Sequence, residues 1–223
     1  YICKLFMKYL LHIDTATDTS AVAIAGDGVI LASCTNTEMR NHASTINNMI
    51  DDVLVAANCS LRDISAIVVC GGPGSYTGLR IGMATAKGVC YALDIPLLSH
   101  NRLTMLAYQL WASRQVKTAQ YVSLIIARDK EYFVGIYDEQ FNCIIQPRHI
   151  LEPELPQIIP ATTGTQFITN AHEDVLYALN ISDIHINSDV TNQLSFWAQY
   201  AFQQFNTNVS ENIATAEPFY LKQ

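Results

Sequence analysis

Short apolar runs separated by turn residues dominate the first forty residues of the chain. Three runs are rich in small and β-branched residues and have the length of strands: Lys8–Asp14, Ser20–Ala25 and Val29–Thr35. Asp27-Gly28 lies between the second run and the third, and a glycine-containing turn in this position is typical of a β-hairpin. The pattern therefore predicts three consecutive strands, of which the last two form a hairpin.

Helical and strand-like patterns alternate over the next seventy residues. From Ser44 to Asn58 the apolar residues recur with the spacing of one helical face, at Ile46, Met49, Ile50, Val53, Leu54 and Ala57. Ile64–Cys70 is apolar at nearly every position, as a strand covered on both faces must be, and Pro96–Ser99 repeats this character after a second helical segment. Three strands followed by helix, strand, helix, strand and helix is the order of the ribonuclease H-like, actin and sugar-kinase class of fold.

The second half of the chain opens as the first half does, with a hairpin pattern at Tyr121–Ala127 and Tyr132–Tyr137. The apolar periodicity lapses just before it, near Ser113–Thr118. We therefore expect an N-terminal lobe over residues 7–114 and a smaller C-terminal lobe over residues 115–223, and two halves that each begin with a hairpin suit a duplicated α/β fold. Three later elements are predicted: Ile144–Leu151, a short strand at Phe167–Thr169 and a helix at Leu194–Phe205.

Composition narrows the class of partner. The formal net charge is −7 with 13 Lys plus Arg, which argues against a broad electrostatic grip on a nucleic-acid backbone. Six cysteines without a CxxC pair are typical of reduced, buried thiols in a cytosolic protein. No apolar run approaches the roughly 20 residues that cross a bilayer, so we expect no membrane association.

Six of the ten glycines lie between Gly71 and Gly88, directly after the apolar run that ends at Cys70. A glycine-rich turn before a helix can bind phosphate through free backbone N–H groups. A P-loop needs Lys and Ser or Thr after its last loop glycine, whereas Gly78 is followed by Leu and Arg. The spacing G-x-G-x-x-x-G of the loop glycines also differs from the dinucleotide fingerprint. Both phosphate-binding interpretations are therefore disfavoured.

Small residues recur every four positions in the helix that follows, at Gly78, Gly82, Ala86 and Cys90. They form a stripe with almost no side chain along one side of the helix. Glycine in a helix interior costs about 1 kcal/mol relative to alanine, so the stripe needs a compensating close contact. Two contacts remain open: close packing on this chain's own sheet, or a seam with a helix of another chain.

The segment GPGSYTGLRIG at Gly72–Gly82, together with HIDTAT at His12–Thr17 and Asn41-His42, resembles the bacterial TsaB family, also called YeaZ. The resemblance implies a two-lobed, actin-like fold and a role in making threonylcarbamoyladenosine in tRNA. It implies a non-catalytic subunit without a cofactor that pairs with a TsaD-like enzyme, with a TsaE-like ATPase in a larger complex. When the partner is absent we expect a homodimer through the same docking face, because a self-complementary patch closes with two-fold symmetry. The net charge of −7 predicts contact with tRNA only through the complex.

The predicted partner-binding face combines the bare stripe with the first helix. It comprises Tyr76, Gly78, Arg80, Gly82 and Ala86 on the second helix, and Ile46, Met49 and Ile50 on the first.

Asp14 ends the first predicted strand and Thr15 follows it, at the place where the resemblance to actin-like enzymes implies a carboxylate near phosphate and magnesium. Two interpretations remain: a degenerate remnant of a nucleotide site, or a turn carboxylate that bonds the backbone of residues 15–17. The related enzyme binds its metal with two histidines one helical turn apart. Here the position four residues after His42 is Ile46 and not a histidine, so we expect no metal. The rival functions are a glycoprotease-like metallopeptidase and a stand-alone ATP-binding module.

Overall fold

The strands of the first half form one mixed sheet in a computed structural model that describes residues 7–37, 42–113, 120–159, 163–179, 185–187 and 193–220. The strands are β1 (Tyr9–Asp14), β2 (Ser20–Gly26), β3 (Val29–Asn36), β4 (Ile64–Gly72) and β5 (Leu97–Asn101). Their order is β3-β2-β1-β4-β5, with the first three antiparallel and β4 and β5 running parallel to β1. This arrangement confirms the predicted three-strand opening and the buried parallel strands.

Two helices cover one face of this sheet and a third covers the other. Helices α1 (His42–Ala56) and α2 (Tyr76–Leu93) pack over the alternating apolar residues of β1 and β2, in a core that includes Leu11 and Ile13. Helix α6 (Leu194–Asn206) contacts β1, β3 and β5 and buries Trp197. The observed α1 begins and ends two residues before the predicted helix. It ends before Asn58 because that residue has a left-handed backbone with φ of 50°.

The second sheet repeats the topology of the first. Its strands are β6 (Gln120–Arg128), β7 (Glu131–Asp138), β8 (Cys143–Leu151), β9 (Thr165–Thr169) and β10 (His185–Asn187), in the order β10-β9-β6-β7-β8. Strands β6, β7 and β8 are antiparallel, and β9 and β10 continue parallel to β6. A duplicated fold is therefore confirmed, and the α/β class of two mixed sheets is that of the prediction.

Three further helices accompany the second sheet. Helix α3 (Arg102–Ser113) packs on it through a cluster that includes Leu103, Leu106 and Tyr121. Two short helices, α4 (Leu155–Ile158) and α5 (Glu173–Tyr177), were not predicted, nor was β10. No helix in the described ranges has both the length and the apolarity to cross a membrane.

The division of the chain differs from the predicted lobes at 7–114 and 115–223. The first unit consists of two separate parts of the chain, the residues up to Asn101 and Leu194–Phe219. The second unit contains Arg102–Gln193. Helix α6 belongs to the first unit because Trp197, Ala198 and Ala201 bury their apolar face there.

The cysteines follow the prediction only in part. Cys70 and Cys90 are buried thiols, and Cys34 and Cys59 are half-buried. Cys143 is exposed, because it begins the edge strand β8, so the expectation that it is buried is wrong. Cys3 lies outside the described residues.

Two buried histidines lie beneath α6. The Nδ1 of His12 lies 3.2 Å from the carbonyl oxygen of Leu10, and the Trp197 indole N–H donates to His100 Nδ1 at 2.9 Å. The rings of His12 and Trp197 meet edge to face with centroids 5.0 Å apart. Burial lowers the pKa of His12 to about 4, and burial together with the neighbouring His12 lowers the pKa of His100 to about 3.

Acidification from pH 7.5 to 5.5 should therefore destabilise the protein. The unfolded chain protonates both histidines near pH 6.5, whereas the folded chain binds these protons only near pH 4 and 3. Stability is thus greatest above pH 6.5 and falls by about 1.4 kcal/mol per pH unit and per histidine below it. Urea denaturation at the two pH values measures the loss, and His100→Gln, which keeps an acceptor for Trp197, should roughly halve it. An undiminished loss in His100→Gln would contradict a neutral, buried His100.

Candidate functional site

The glycine-rich loop before α2 lies against the turn that joins β1 and β2. The Ser75 amide donates to the Ala16 carbonyl oxygen at 2.7 Å, and the Thr15 hydroxyl donates to the Gly78 carbonyl oxygen at 2.7 Å. Thr15 and Ala16 are both buried. The loop that sequence patterns compare with phosphate-binding loops therefore binds a backbone turn of its own chain.

The glycines of this segment make that contact possible. A Cβ at Gly74 would overlap the carbonyl oxygen of Ala16, a Cβ at Gly78 would overlap the carbonyl oxygen of Thr15, and a Cβ at Gly82 would overlap the Thr15 hydroxyl. Two neighbouring backbones can approach so closely only where one of them lacks side chains. The absence of side chains on this part of α2 is thus explained by contacts within the chain.

The bare stripe is consequently not an open seam. Gly78, Gly82, Ala86 and Cys90 are all buried residues of α2. The expectation that this stripe faces another chain is wrong, because the β1–β2 turn and the sheet already cover it. Close packing on the chain's own sheet, the alternative from the sequence, is the observed arrangement.

The first helix requires a matching correction. Ile46, Met49 and Ile50 are buried in the core shared by α1, α2 and the sheet, so their side chains do not reach a partner. The exposed side of α1 carries other residues: Asn47, Asn48, Asp51, Asp52 and Val55. The Val55 side chain is 80% exposed although it is apolar.

The outer face of α2, defined here as Tyr76, Arg80, Ala84, Gly88 and Tyr91, points to solvent. Tyr76 is 56% exposed and Tyr91 84% exposed, and the Arg80 guanidinium lies 4.3 Å from the centre of the Tyr76 ring. Such a cation–π contact holds both side chains in one orientation. Between Arg80 and Tyr91 the outer face carries only the methyl group of Ala84 and the bare backbone of Gly88, where an added Cβ would meet none of the described atoms within 4 Å. Tyr76 and Arg80 are therefore the predicted site residues that the structure leaves exposed.

Sequence reasoning missed Val55 and Tyr91, although a signal for them was present. Val55 is apolar and Tyr91 is aromatic, yet neither position belongs to the buried apolar face of its helix. Helices α1 and α2 lie on the same face of the sheet and contact each other, so their exposed sides adjoin. Large exposed side chains on neighbouring helices are typical of an interaction surface.

Asp14 belongs to the turn rather than to an open site. The carboxylate is buried, and its Oδ1 accepts a hydrogen bond from the Ala16 amide at 2.9 Å. The amides at the start of α2 are also bonded within the chain. Ser75 N donates to Ala16 O, Gly78 N donates to Ser75 Oγ, and Leu79 N donates to Ser75 O. The geometry supports the interpretation of Asp14 as a turn carboxylate.

Metal-binding clusters and cavities were the other kinds of functional site to consider, and the cavity described below contains none of the predicted site residues. Among the side chains that the structure describes, no group of three or more His, Cys, Asp or Glu residues could hold a metal ion. The side chain of His42 lies outside that set. A cavity of about 280 Å³ occurs in the second unit, lined by Glu152, Leu155, Pro156, Asp174, Val175, Ala178 and Leu179.

Comparison with known proteins points to one family. The matching family model is described as TsaD, tRNA N6-adenosine threonylcarbamoyltransferase, and it covers residues 29–214. The curated tRNA threonylcarbamoyladenosine biosynthesis protein TsaB of Escherichia coli (strain K12) is 32% identical over 151 residues. That match covers 66% of this chain and 63% of the relative, so it spans less than two thirds of the relative's length.

Solved structures support the fold. A Pseudomonas aeruginosa protein described as similar to the peptidase YEAZ superposes with a TM-score of 0.82 at 21% identity, covering 97% of this chain and 100% of that one. The ROK hexokinase of Thermus thermophilus superposes with a TM-score of 0.50 at 8% identity, covering 86% and 99%. Together with the two duplicated sheets, these likenesses confirm the predicted actin-like fold class.

Three glycine-to-alanine substitutions in α2 should separate the buried contact from the exposed face. Gly82→Ala should lower the free energy of unfolding by about 1 to 3 kcal/mol, because its methyl group overlaps the Thr15 hydroxyl. Gly78→Ala should cost more, because it meets a backbone carbonyl that cannot rotate away. Gly88→Ala should stabilise by about 0.5 to 1 kcal/mol, since it meets nothing and gains helix propensity. Urea denaturation measures all three, and a Gly82→Ala protein as stable as the Gly88→Ala protein would refute the packing described here.

Proposed function

We propose a partner role for this chain from the premise that it belongs to the family of TsaD, the tRNA N6-adenosine threonylcarbamoyltransferase, and TsaB. In this proposal the chain is a non-catalytic subunit that dimerises with a TsaD-like enzyme and supports threonylcarbamoyl transfer to adenosine in tRNA. The observation that carries the proposal is the closed contact between the loop before α2 and the β1–β2 turn, which leaves the outer face of α2 as the surface that this segment presents to solvent.

The hydrogen bonds of the loop support a role without catalysis. A helix N-terminus that binds a phosphate presents free backbone amides to it. Here Ser75 N, Gly78 N and Leu79 N donate to acceptors of the chain itself, and Asp14 accepts from Ala16 N. A nucleotide at this position would have to displace the β1–β2 turn.

The outer face of α2 has the properties of a docking surface for a helix. Ala84 and Gly88 leave a low strip between the exposed Tyr76 and Tyr91, so a second helix can approach closely there. Gly88 costs about 1 kcal/mol of helix stability, and among the described residues no close packing at this position compensates for this cost. Aromatic residues and arginine are the side chains enriched where partners bind most tightly. The exposed side of α1, with Asp51, Asp52 and Val55, extends this surface.

The remaining partners follow from the same proposal. A chain with net charge −7 reaches tRNA through the complex, while a TsaE-like ATPase joins the larger assembly. In the absence of the TsaD-like enzyme, the outer face of α2 pairs with the same face of a second copy, because a self-complementary surface closes with two-fold symmetry.

Reversing the charge of Arg80 should weaken the heterodimer. Arg80→Glu removes the cation from the outer face and abolishes its contact with the Tyr76 ring, so we expect a loss of roughly tenfold to a hundredfold in affinity for a TsaD-type enzyme. Isothermal titration measures the affinity, and thermal melting should show a change of less than about 2 °C. Arg148→Glu, at an exposed position of β8, is the matched control and should bind as the wild type does. Equal affinities for the two variants would overturn this docking surface.

The isolated chain should show no turnover. The proposal predicts no ATP hydrolysis, no peptidase activity with or without a chelator, and no threonylcarbamoyl transfer when the TsaD-like enzyme is omitted. Isothermal titration with ATP and magnesium should likewise give no saturable heat. Turnover that Asp14→Ala abolishes would favour an ATP-binding enzyme, and chelator-sensitive proteolysis would favour the metallopeptidase.

A further inference from the structure

The segment after α6 crosses the first unit as an extended strap, defined here as residues 211–219. Near its start, the Glu211 amide donates to the Leu97 carbonyl oxygen at 2.8 Å, in an isolated antiparallel bridge at the beginning of β5. At its end, the Phe219 amide donates to the Gly71 carbonyl oxygen at 2.7 Å, at the end of β4. The strap thus begins at the exposed edge of the sheet and finishes at the loop that leads into α2.

Lys87 fastens the middle of the strap to α2. Its ammonium group donates to the carbonyl oxygen of Ala216 at 3.0 Å and lies 3.5 Å from that of Ala214. A local turn places both carbonyls, because Ala216 N donates to Asn212 O at 2.8 Å and Ala214 N donates to Asn212 Oδ1 at 2.9 Å. A lysine is a donor of three hydrogen bonds and cannot accept, so it suits two converging carbonyl oxygens.

Few side chains anchor the strap. Ala216 is buried in the core cluster of the first unit and Ile213 packs against that cluster, whereas Glu211, Asn212, Ala214, Thr215, Glu217 and Phe219 are exposed. A segment with few buried apolar contacts and few backbone hydrogen bonds opens at a lower free energy than the core does. The strap can therefore detach while the sheet and its helices stay folded.

The end of the strap meets the loop that positions α2. Gly71, which accepts from Phe219, precedes Gly72, whose backbone has φ of 108°. A Cβ at Gly72 would lie 2.9 Å from the Leu79 side chain and 3.2 Å from the Phe219 carbonyl oxygen. The loop is consequently held on one side by the β1–β2 turn, through Ala16 and Ser75, and on the other side by the strap.

We propose that residues 211–219 are a releasable strap with Lys87 as its clasp, and that the closed strap fixes the start of α2 for docking. Loss of the Lys87 ammonium frees the strap, uncovers the beginning of β5 and loosens the end of β4 at Gly71, from which the loop before α2 continues. The clasp depends only on the contacts of this chain, whereas its effect on docking rests on the proposed function.

Hydrogen exchange of the full chain tests the clasp. Lys87→Met keeps the length of the side chain without its charge, and it should speed exchange of the Glu211 and Phe219 amides by roughly tenfold, the effect of losing a charge-assisted hydrogen bond. Lys87→Arg keeps a cation and should stay within about threefold of the wild type. Lys130→Met, in the exposed turn between β6 and β7, is the matched control and should leave both amides unchanged. Amides of β1 and β4 report global unfolding and should keep their wild-type rates.

The same variants tested for binding to a TsaD-type enzyme decide the link to docking. Lys87→Met should weaken binding by about threefold to tenfold, and Lys87→Arg and Lys130→Met should not. Unchanged exchange at Glu211 and Phe219 in Lys87→Met would overturn the clasp. Faster exchange with unchanged binding would overturn its effect on α2. If the wild-type chain fails to bind the enzyme, the proposed function fails, and the exchange rates alone still decide whether Lys87 is the clasp.

Discussion

The contact between the β1–β2 turn and the loop before α2 determines what this molecule can do. Ala16 and Thr15 bond Ser75 and Gly78 across 2.7 Å, and the glycines at positions 74, 78 and 82 are the condition for that approach. The contact fixes the start of α2 against β1 and engages the Ser75 amide, which directly precedes the helix. Because of this contact the bare stripe of α2 faces the interior, and the opposite side of the helix faces solvent.

Much of the fold could be predicted from the sequence, because buried strands and helices each require apolar residues at a characteristic spacing. Two adjacent runs of small and β-branched residues joined by Asp27-Gly28 predicted β2 and β3 as a hairpin. The continuous apolar run at Ile64–Cys70 predicted a strand covered on both faces, as β4 is. The return of α6 to the first unit was not predictable in the same way. The apolar face that buries Trp197 fits any sheet of suitable shape, and the period of a helix does not say which sheet it covers.

The direction of the stripe marks the limit of sequence reasoning about the site. Small residues every four positions indicate a close contact but not its partner, so Gly82 suits a neighbouring turn as well as another chain. Only the position of Thr15 against Gly82 decides between them. Tyr76 and Arg80 were identified because they flank the glycines in sequence, and Tyr91 was missed because it lies four turns further along the same helix. The family was predicted from the motif itself, and the proposed partner role depends on that family and on the exposure of the outer face of α2.

Site-specific photo-crosslinking tests the outer face of α2 most directly. A photoreactive phenylalanine at Tyr91 should crosslink to a TsaD-type enzyme in the mixed complex, because this side chain belongs to the proposed surface and is 84% exposed. The same group at Ile144, on the exposed edge strand β8, should give no crosslink. A crosslink from position 144 and none from position 91 would contradict the account.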